Sequence, residues 1–545
     1  MPSSRILQFV GLLLTFIPVQ SLMAQGPPSP SAKPALQVAS RVVFLDVTVL
    51  DKNGSPVVNG LTQADFTIVQ DKNPQQILSF EAPEAHVMEV GSEDSNSGGN
   101  APVTILVLDL LNSSFADFDY IRHEIRKYLA AQPPQLESPA ALMVLGNLRL
   151  ELQQGYTRNR DELLYALDHI PPAQPFKLQI GGLAWLYERT AQSYDALQQI
   201  ALQNKGVPGR KNIIRVGHGG SGLWTPDFTG DSVVQLKRLV RETVNFLVDA
   251  RITLFVIYPR LEANPKERTL SQADLSLEGR QLSEMDSYSG ATKGDPFESD
   301  INFGVFVNET GGKLFYNCND VGAGIRQAQR MGAEYYTLTY RPPDGPANGK
   351  FRRIHVTLRD PNLRAFTKDG YYAQDKSAPA DFRRETRTAL FDAAQSALPF
   401  VGLNVKVSGI VQHPDTGTVD LTLQLEARNI QWHAAANGKS TATLTMAAVS
   451  LTGRRDLLAS NVVGVILTAD TQDPKRLAMV ESTAKLTLRV PNKTQSVRVA
   501  VETDEGGRLG TVDLDRATID AAPSMATPVP KLEHRPPMHE GPGTT

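Results

Sequence analysis

Asp109 is the residue of this chain best placed to do chemistry. It closes the run Thr104 to Leu108 and is followed by Leu110-Leu111-Asn112-Ser113-Ser114. A carboxylate beside two hydroxyls is an oxygen-rich group of the kind that suits a hard divalent cation. The same residues also fit a helix cap, in which Asp109 and Ser113 only satisfy backbone N–H groups of the next helix. A second candidate is His218-Gly219-Gly220-Ser221-Gly222, where Ser221 and His218 would serve a hydrolase as nucleophile and base. A nucleophile elbow requires Gly-x-Ser-x-Gly, however, and Leu223 stands where the closing glycine is needed. A loop that uses glycine's backbone freedom explains the run better. The 9 histidines show no His-Glu-x-x-His spacing, so zinc catalysis has no support. His123 and His355 read as surface or packed residues. Gly345 to Lys350 lacks the spacing of a phosphate loop, and no Gly-rich turn follows the first buried strand.

The elements that must position Asp109 alternate between strand and helix. Thr104 to Leu108 is continuously apolar or β-branched, as expected of a strand buried on both faces. Phe118, Ile121, Ile125 and Tyr128 then recur at helical spacing. Further strand runs lie at Ala141 to Leu145, Asn212 to Val216, Ile252 to Tyr258 and Lys313 to Tyr316. Between two of them Asp231 caps a helix striped with Val233, Leu236, Val240, Val244 and Leu247. This order predicts an α/β fold with a doubly wound, mostly parallel sheet over residues 102–333. Its ligand crevice should open at the carboxyl end of the first strand, where Asp109 stands. Residues from Glu262 to Asp300 are rich in Ser, Asp, Glu and Gly and emerge at that edge, as a binding loop or a passive insertion.

On either side the hydrophobic period falls to two. Val43, Leu45, Val47 and Val49 alternate, and the module 42–90 has room for only about three strands. So few strands leave one face open. They are therefore expected to pair with the strands of 334–373, making one β domain split by the α/β insertion. From Leu403 onward many short alternating runs predict a C-terminal β-sandwich over 398–516. The stretches 25–41 and 521–545 are Pro-rich and read as a flexible leader and a disordered tail.

Arg5, the apolar Phe9 to Ile17 and the small Ala24 read as a signal peptide over 1–24, so the mature chain is expected in the periplasm or secreted. No segment reaches the roughly 20 apolar residues of a membrane span. A single cysteine, Cys318, excludes an internal disulfide. With 55 basic and 58 acidic residues and no basic block, nucleic acid is excluded as an expected partner.

The strand ending in Asp109, the Tyr194-Asp195-Ala196-Leu197 helix and Pro208-Gly209-Arg210-Lys211-Asn212-Ile213-Ile214 together resemble the von Willebrand factor A-type (vWA) domain family. With Asp46 to Phe80 and the closing Gly370-Tyr371-Tyr372, the chain looks most like the VWFA-related branch described from acidobacterial proteins, over roughly Val42 to Ala373. The resemblance implies a vWA/Rossmann-like sheet and a metal-ion-dependent adhesion site, in which Asp-x-Ser-x-Ser, a Thr and a second Asp hold Mg²⁺. Asp109 and Ser113 match the first Asp and last Ser, while Leu111 replaces the middle Ser. The Thr position falls at Thr190, with Ser193 a rival, and His218 takes the place of the second Asp. The implied ligands are thus Asp109, Ser113 and Thr190, with Asn112, Ser114 and His218 facing a protein partner. Magnesium prefers oxygen to imidazole, so no cofactor is expected beyond weakly held Mg²⁺. His218 could instead hydrogen-bond Asp109 without metal. The function expected is that of an exported, non-enzymatic binding or adhesion-type protein. The rivals are an extracytoplasmic hydrolase acting through Ser221 and His218, and a purely structural envelope protein.

Overall fold

The structure is a computed structural model that describes residues 42–86 and 101–524. Within these spans it leaves out 147–148, 171–182, 218–222, 225–230, 260–296, 298–299, 344–348, 374–389, 427–429, 436–437, 504–507 and the single positions 114, 206, 208, 302, 392, 431 and 478. The signal-peptide and leader expectations lie outside the described residues, as do most of the 262–300 loop and nearly all of the tail.

The chain opens with β1 (Val43–Leu50), β2 (Phe66–Gln70), β3 (Asn73–Gln75) and β4 (Ile77–Glu81). There follow β5 (Val103–Asp109), α1 (Phe115–Ala130), β6 (Gln135–Leu145), β7 (Leu150–Asn159), α2 (Arg160–Asp168), α3 (Leu183–Gln203), β8 (Lys211–Val216), β9 (Leu223–Trp224) and α4 (Asp231–Asp249). Then come β10 (Ile252–Pro259), β11 (Asp300–Ile301), α5 (Phe303–Glu309), β12 (Leu314–Cys318), α6 (Val321–Ala333), β13 (Tyr336–Tyr340), β14 (Phe351–Leu358), β15 (Arg364–Phe366) and β16 (Gly370–Tyr372).

A six-stranded sheet in the order β12-β10-β8-β5-β6-β7 forms the centre, parallel except for the edge strand β7. Counting only these strands along the chain and reading the sheet from β7, the order is third, second, first, fourth, fifth, sixth, the doubly wound arrangement. Because β5 and β8 are adjacent while their connections run to opposite sides, a crevice opens between their carboxyl ends. Two apolar clusters cover the sheet. One contains Ile105 and Val107 with Leu197 of α3 and Val240 of α4; the other contains Leu106 and Leu108 with Ile121 of α1 and Ile325 of α6. Alternate residues of β5 therefore serve opposite faces, and the even spacing from Val107 to Asp109 puts the carboxylate on the α3 face.

The split of the flanking β domain is plain in the ladders. β1 lies between β13 and β15, and β13 also pairs with β4; in a second sheet β14 pairs with β2 and β16. The two strand sets, more than 250 residues apart, are thus in contact, as the open face of a three-strand module demanded.

Charged residues fasten this β domain to the amino edge of the central sheet. Arg251 grips Asp46 of β1 through Nε (3.1 Å) and Nη2 (2.5 Å), and Asp46 also accepts from Thr337 of β13 (2.9 Å). Burial pushes the Asp46 carboxyl up, but the charge and hydrogen bond of Arg251, with the charge of Arg210 and the hydrogen bond of Thr337, together outweigh it and the net shift is downward. Buried Arg210 donates to Thr48 of β1 and to Thr253. Lys211, also buried, donates to the carbonyls of Val207 (2.6 Å) and Gly209 (2.9 Å) and so clips the loop that leads into β8.

The remaining strands are β17 (Val405–His413), β18 (Thr418–Glu426), β19 (His433–Ala434), β20 (Ser440–Leu451), β21 (Leu457–Ala469), β22 (Glu481–Arg489), β23 (Ser496–Thr503) and β24 (Leu509–Asp515). They form a three-stranded sheet, β17-β18-β22, and a five-stranded sheet around β20, all antiparallel. Leu421, Leu423 and Leu486 of the first share a buried cluster with Leu444, Met446 and Val499 of the second. The opposite face of the second sheet, with Ala447, Val449 and Ala500, joins the cluster of α3 and α4. Arg498 anchors the linker of residues 393–398, which leads into β17, to this sheet, donating to the carbonyls of Ala393, Ser396 and Leu398 while gripping Asp513 at 2.7 and 2.6 Å.

Candidate functional site

The carboxyl end of β5 meets α3 over a closed polar cluster. Asp109 Oδ1 accepts from the backbone N–H of Asn112 at 3.1 Å, a local turn that the short carboxylate makes with its own chain. The Asn112 side chain donates Nδ2 to both carboxylate oxygens, at 3.2 and 3.0 Å, and to Ser193 Oγ at 3.3 Å. Arg215 completes the arrangement from β8. Its Nε and Nη2 reach Asp109 Oδ2 at 3.0 and 2.5 Å, and Nη2 also reaches Ser193 Oγ at 3.3 Å. The register explains the reach: Val107 stands opposite Arg215, so Asp109 lies two residues further along on the same face. Both side chains are buried, Asp109 at 0% and Arg215 at 2% exposure. Two opposite charges so far from water are tolerable only when paired and hydrogen-bonded, as they are here.

Gly217 sets the floor of the crevice. Its φ is +145°, and a Cβ there would stand 2.7 Å from Asp109 Cβ and 3.1 Å from Ser113 Oγ. The position therefore needs glycine both for its backbone and for the closeness of the β5 loop. Arg189, one turn before Ser193, donates Nε to Asn112 Oδ1 at 3.3 Å. Burial holds its guanidinium below the ordinary value; Asp109 opposes that effect and Arg215 adds to it.

Of the expected ligands, Asp109 and Ser113 come together, and Ser193, the rival to Thr190 for the Thr position, hydrogen-bonds into the cluster. Thr190 is buried on α3, and its Oγ1, like Ser113 Oγ, has no hydrogen-bond partner among the described residues. The expected partner-facing Asn112 is turned inward by its bonds to Asp109 and stays half-buried. Ser114, His218 and Ser221 lie outside the described residues. A hard cation does not fit this oxygen set as it stands. One Asp109 oxygen is held by the Arg215 guanidinium, both accept from Asn112, and a cation would need those same lone pairs. Among the described residues no group of three or more His, Cys, Asp or Glu could hold a metal either. His123 and His355 are exposed and take no part.

Arg215 was missed from sequence. A signal for it existed: an arginine between Ile214 and Val216 in a strand buried on both faces must find an acid. The acid had to lie on the neighbouring strand's matching face, and in that run Asp109 is the acid available.

No family model matches the chain, and no curated protein matches it. Among solved structures it is similar to the VWA domain of SpRpn10, at 17% identity over 29% of this chain and 88% of that one, with a TM-score of 0.15.

Proposed function

We propose that this chain is an exported binding protein of the vWA-like kind, related to the acidobacterial VWFA branch, that engages a protein partner at the carboxyl edge of its central sheet without performing chemistry. One observation carries the reading: Asp109, Asn112, Ser193 and Arg215 are tied to one another in the crevice, which makes a bonded platform in place of a reactive centre. Catalytic pairs need a nucleophile within reach of a base, and Asp109 is already fully engaged with donors. The β5 loop from Leu110 to Ser113 is half-buried except at Leu111, and although the Asn112 amide turns inward, the outer surface of the loop is the rim that a partner meets. The split β domain and the C-terminal sheets, read as a β-sandwich, then serve as scaffold, with export directed by residues 1–24.

A photoreactive amino acid at Asn112 tests the reading, with the exposed Lys485 of β22 as control. A defined protein adduct formed from Asn112 and absent from Lys485 is the expected result. Equal adducts from both positions, or esterase or peptidase turnover lost in Ser221→Ala, would reject it.

A further inference from the structure

We propose that Arg215 is the permanent cation of this crevice, its guanidinium occupying the point on which the Asp109 carboxylate and the Ser193 hydroxyl converge, so that the site works without a divalent metal. The inference concerns the site of the reading above, but its test involves no partner, so either can fail alone.

Two observations converge. First, the oxygens that face one another across the crevice, Asp109 Oδ2 from β5 and Ser193 Oγ from α3, meet on a single group, Arg215 Nη2, at 2.5 and 3.3 Å. Oxygens from separate elements aimed at one point are what a bound cation requires, and here the cation is supplied by the chain. Second, the pair is shut away from water, so a hydrated metal ion would have to displace a buried guanidinium from a buried carboxylate. Removing one partner of such a pair leaves an uncompensated charge, which makes the exchange unfavourable. Ser113 Oγ and Thr190 Oγ1, buried oxygens with no partner among the described residues, are not reached by this guanidinium, which serves the Ser193 hydroxyl.

The replacement changes what the site can recognise. A divalent ion beside one carboxylate leaves a net positive charge and an open coordination position for a partner's acid. Arg215 beside Asp109 leaves a neutral pair with no open position. A partner therefore meets hydrogen-bonding groups of the β5 loop and not a coordination bond, and chelators leave its binding unchanged.

The test is calorimetric titration with Mn²⁺, which shares oxygen ligands with Mg²⁺ and binds such sites more tightly. The wild-type full chain should show no saturable binding at millimolar metal, and its melting temperature should be the same with Mn²⁺ or with EDTA. Arg215→Ala, which lifts the guanidinium from Asp109 Oδ2 and Ser193 Oγ and leaves only the neutral Asn112 amide on them, should gain saturable Mn²⁺ binding at least roughly tenfold tighter than any seen in wild type. The gain should vanish in Arg215→Ala/Asp109→Asn. A role in packing alone predicts no such gain. Saturable wild-type binding that is lost in Asp109→Asn overturns the proposal, and so does a folded Arg215→Ala that binds no more metal than wild type. If Arg215→Ala does not fold, Arg215→Gln takes its place under the same criteria, and the wild-type titration decides if neither folds.

Discussion

Lys211 should make the stability of this protein depend on pH in a predictable direction. Its ammonium is buried at the amino end of β8, and that burial, with the nearby positive Arg251 and against the opposing Asp46, lowers it from 10.5 to about 7. The unfolded chain therefore binds a proton that the folded chain has released between about pH 7 and 10.5. Stability rises with pH wherever the unfolded state binds more protons. Between those limits the slope approaches about 1.4 kcal/mol per pH unit, and below them the full penalty of burying the charge is present. The difference of 10.5 − 7 = 3.5 units corresponds to an upper figure of about 4–5 kcal/mol. Lys211→Met removes the charge but leaves the carbonyls of Val207 and Gly209 without their donor, at a cost of about 1–3 kcal/mol. The variant should therefore be more stable than wild type at pH 6 to 7 by about 1–4 kcal/mol, and should lose that advantage by about pH 10. Urea midpoints measured for both proteins at each pH unit from 6 to 10 give the difference directly, because other titrating groups cancel. Parallel curves for wild type and Lys211→Met would refute the reasoning.

Three further outcomes follow from the packing. Asp46→Asn leaves Arg251 buried without its acid and should cost about 3–5 kcal/mol at pH 7, read from the urea midpoint. Because the folded pKa of Asp46 lies below 3.8, its contribution is complete above that value and is lost as pH falls below it, so Asp46→Asn should match wild type in strong acid. Gly312→Ala would set a Cβ 1.8 Å from the Leu254 carbonyl oxygen, a backbone atom that cannot step aside, and should reduce soluble yield severely. Arg498→Met deprives three linker carbonyls of their donor, and hydrogen exchange should rise at residues 393–398 while the Leu421 and Leu444 strands stay protected.

The central sheet was legible because it is buried on both faces. The apolar runs at Thr104, Ala141, Asn212, Ile252 and Lys313 each coincide with a parallel strand to within a few residues. The antiparallel edge strand β7 escaped notice, since Glu151, Gln153, Gln154 and Arg158 give it the composition of a loop. Half of an edge strand's hydrogen-bonding rim faces solvent, so it needs little apolar signal. Asp109 and Ser113 were legible by position, at the end of the first strand. The choice between Thr190 and Ser193 was not, because residues three apart on a helix share a face and only the rotation of α3 separates them. Arg215 was hidden by its own strand pattern. Its role depends on a register between strands about a hundred residues apart, which local periodicity does not encode.

The point where the insertion joins its host domain has a mechanical consequence. The chain leaves through Glu81 at the end of β4 and returns at Tyr336 at the start of β13, and Thr337 stands opposite Glu81, so both junctions lie at one end of the same sheet. A tug on the α/β domain draws β4 and β13 lengthwise in the same direction. The resistance comes from the ladder between β13 and β1, whose five residue pairs from Val43↔Tyr340 to Val47↔Tyr336 are loaded in shear. Bonds loaded in this way share the strain and yield together, whereas peeled bonds fail one after another. A force applied to the α/β domain thus meets the host domain along its stiff direction.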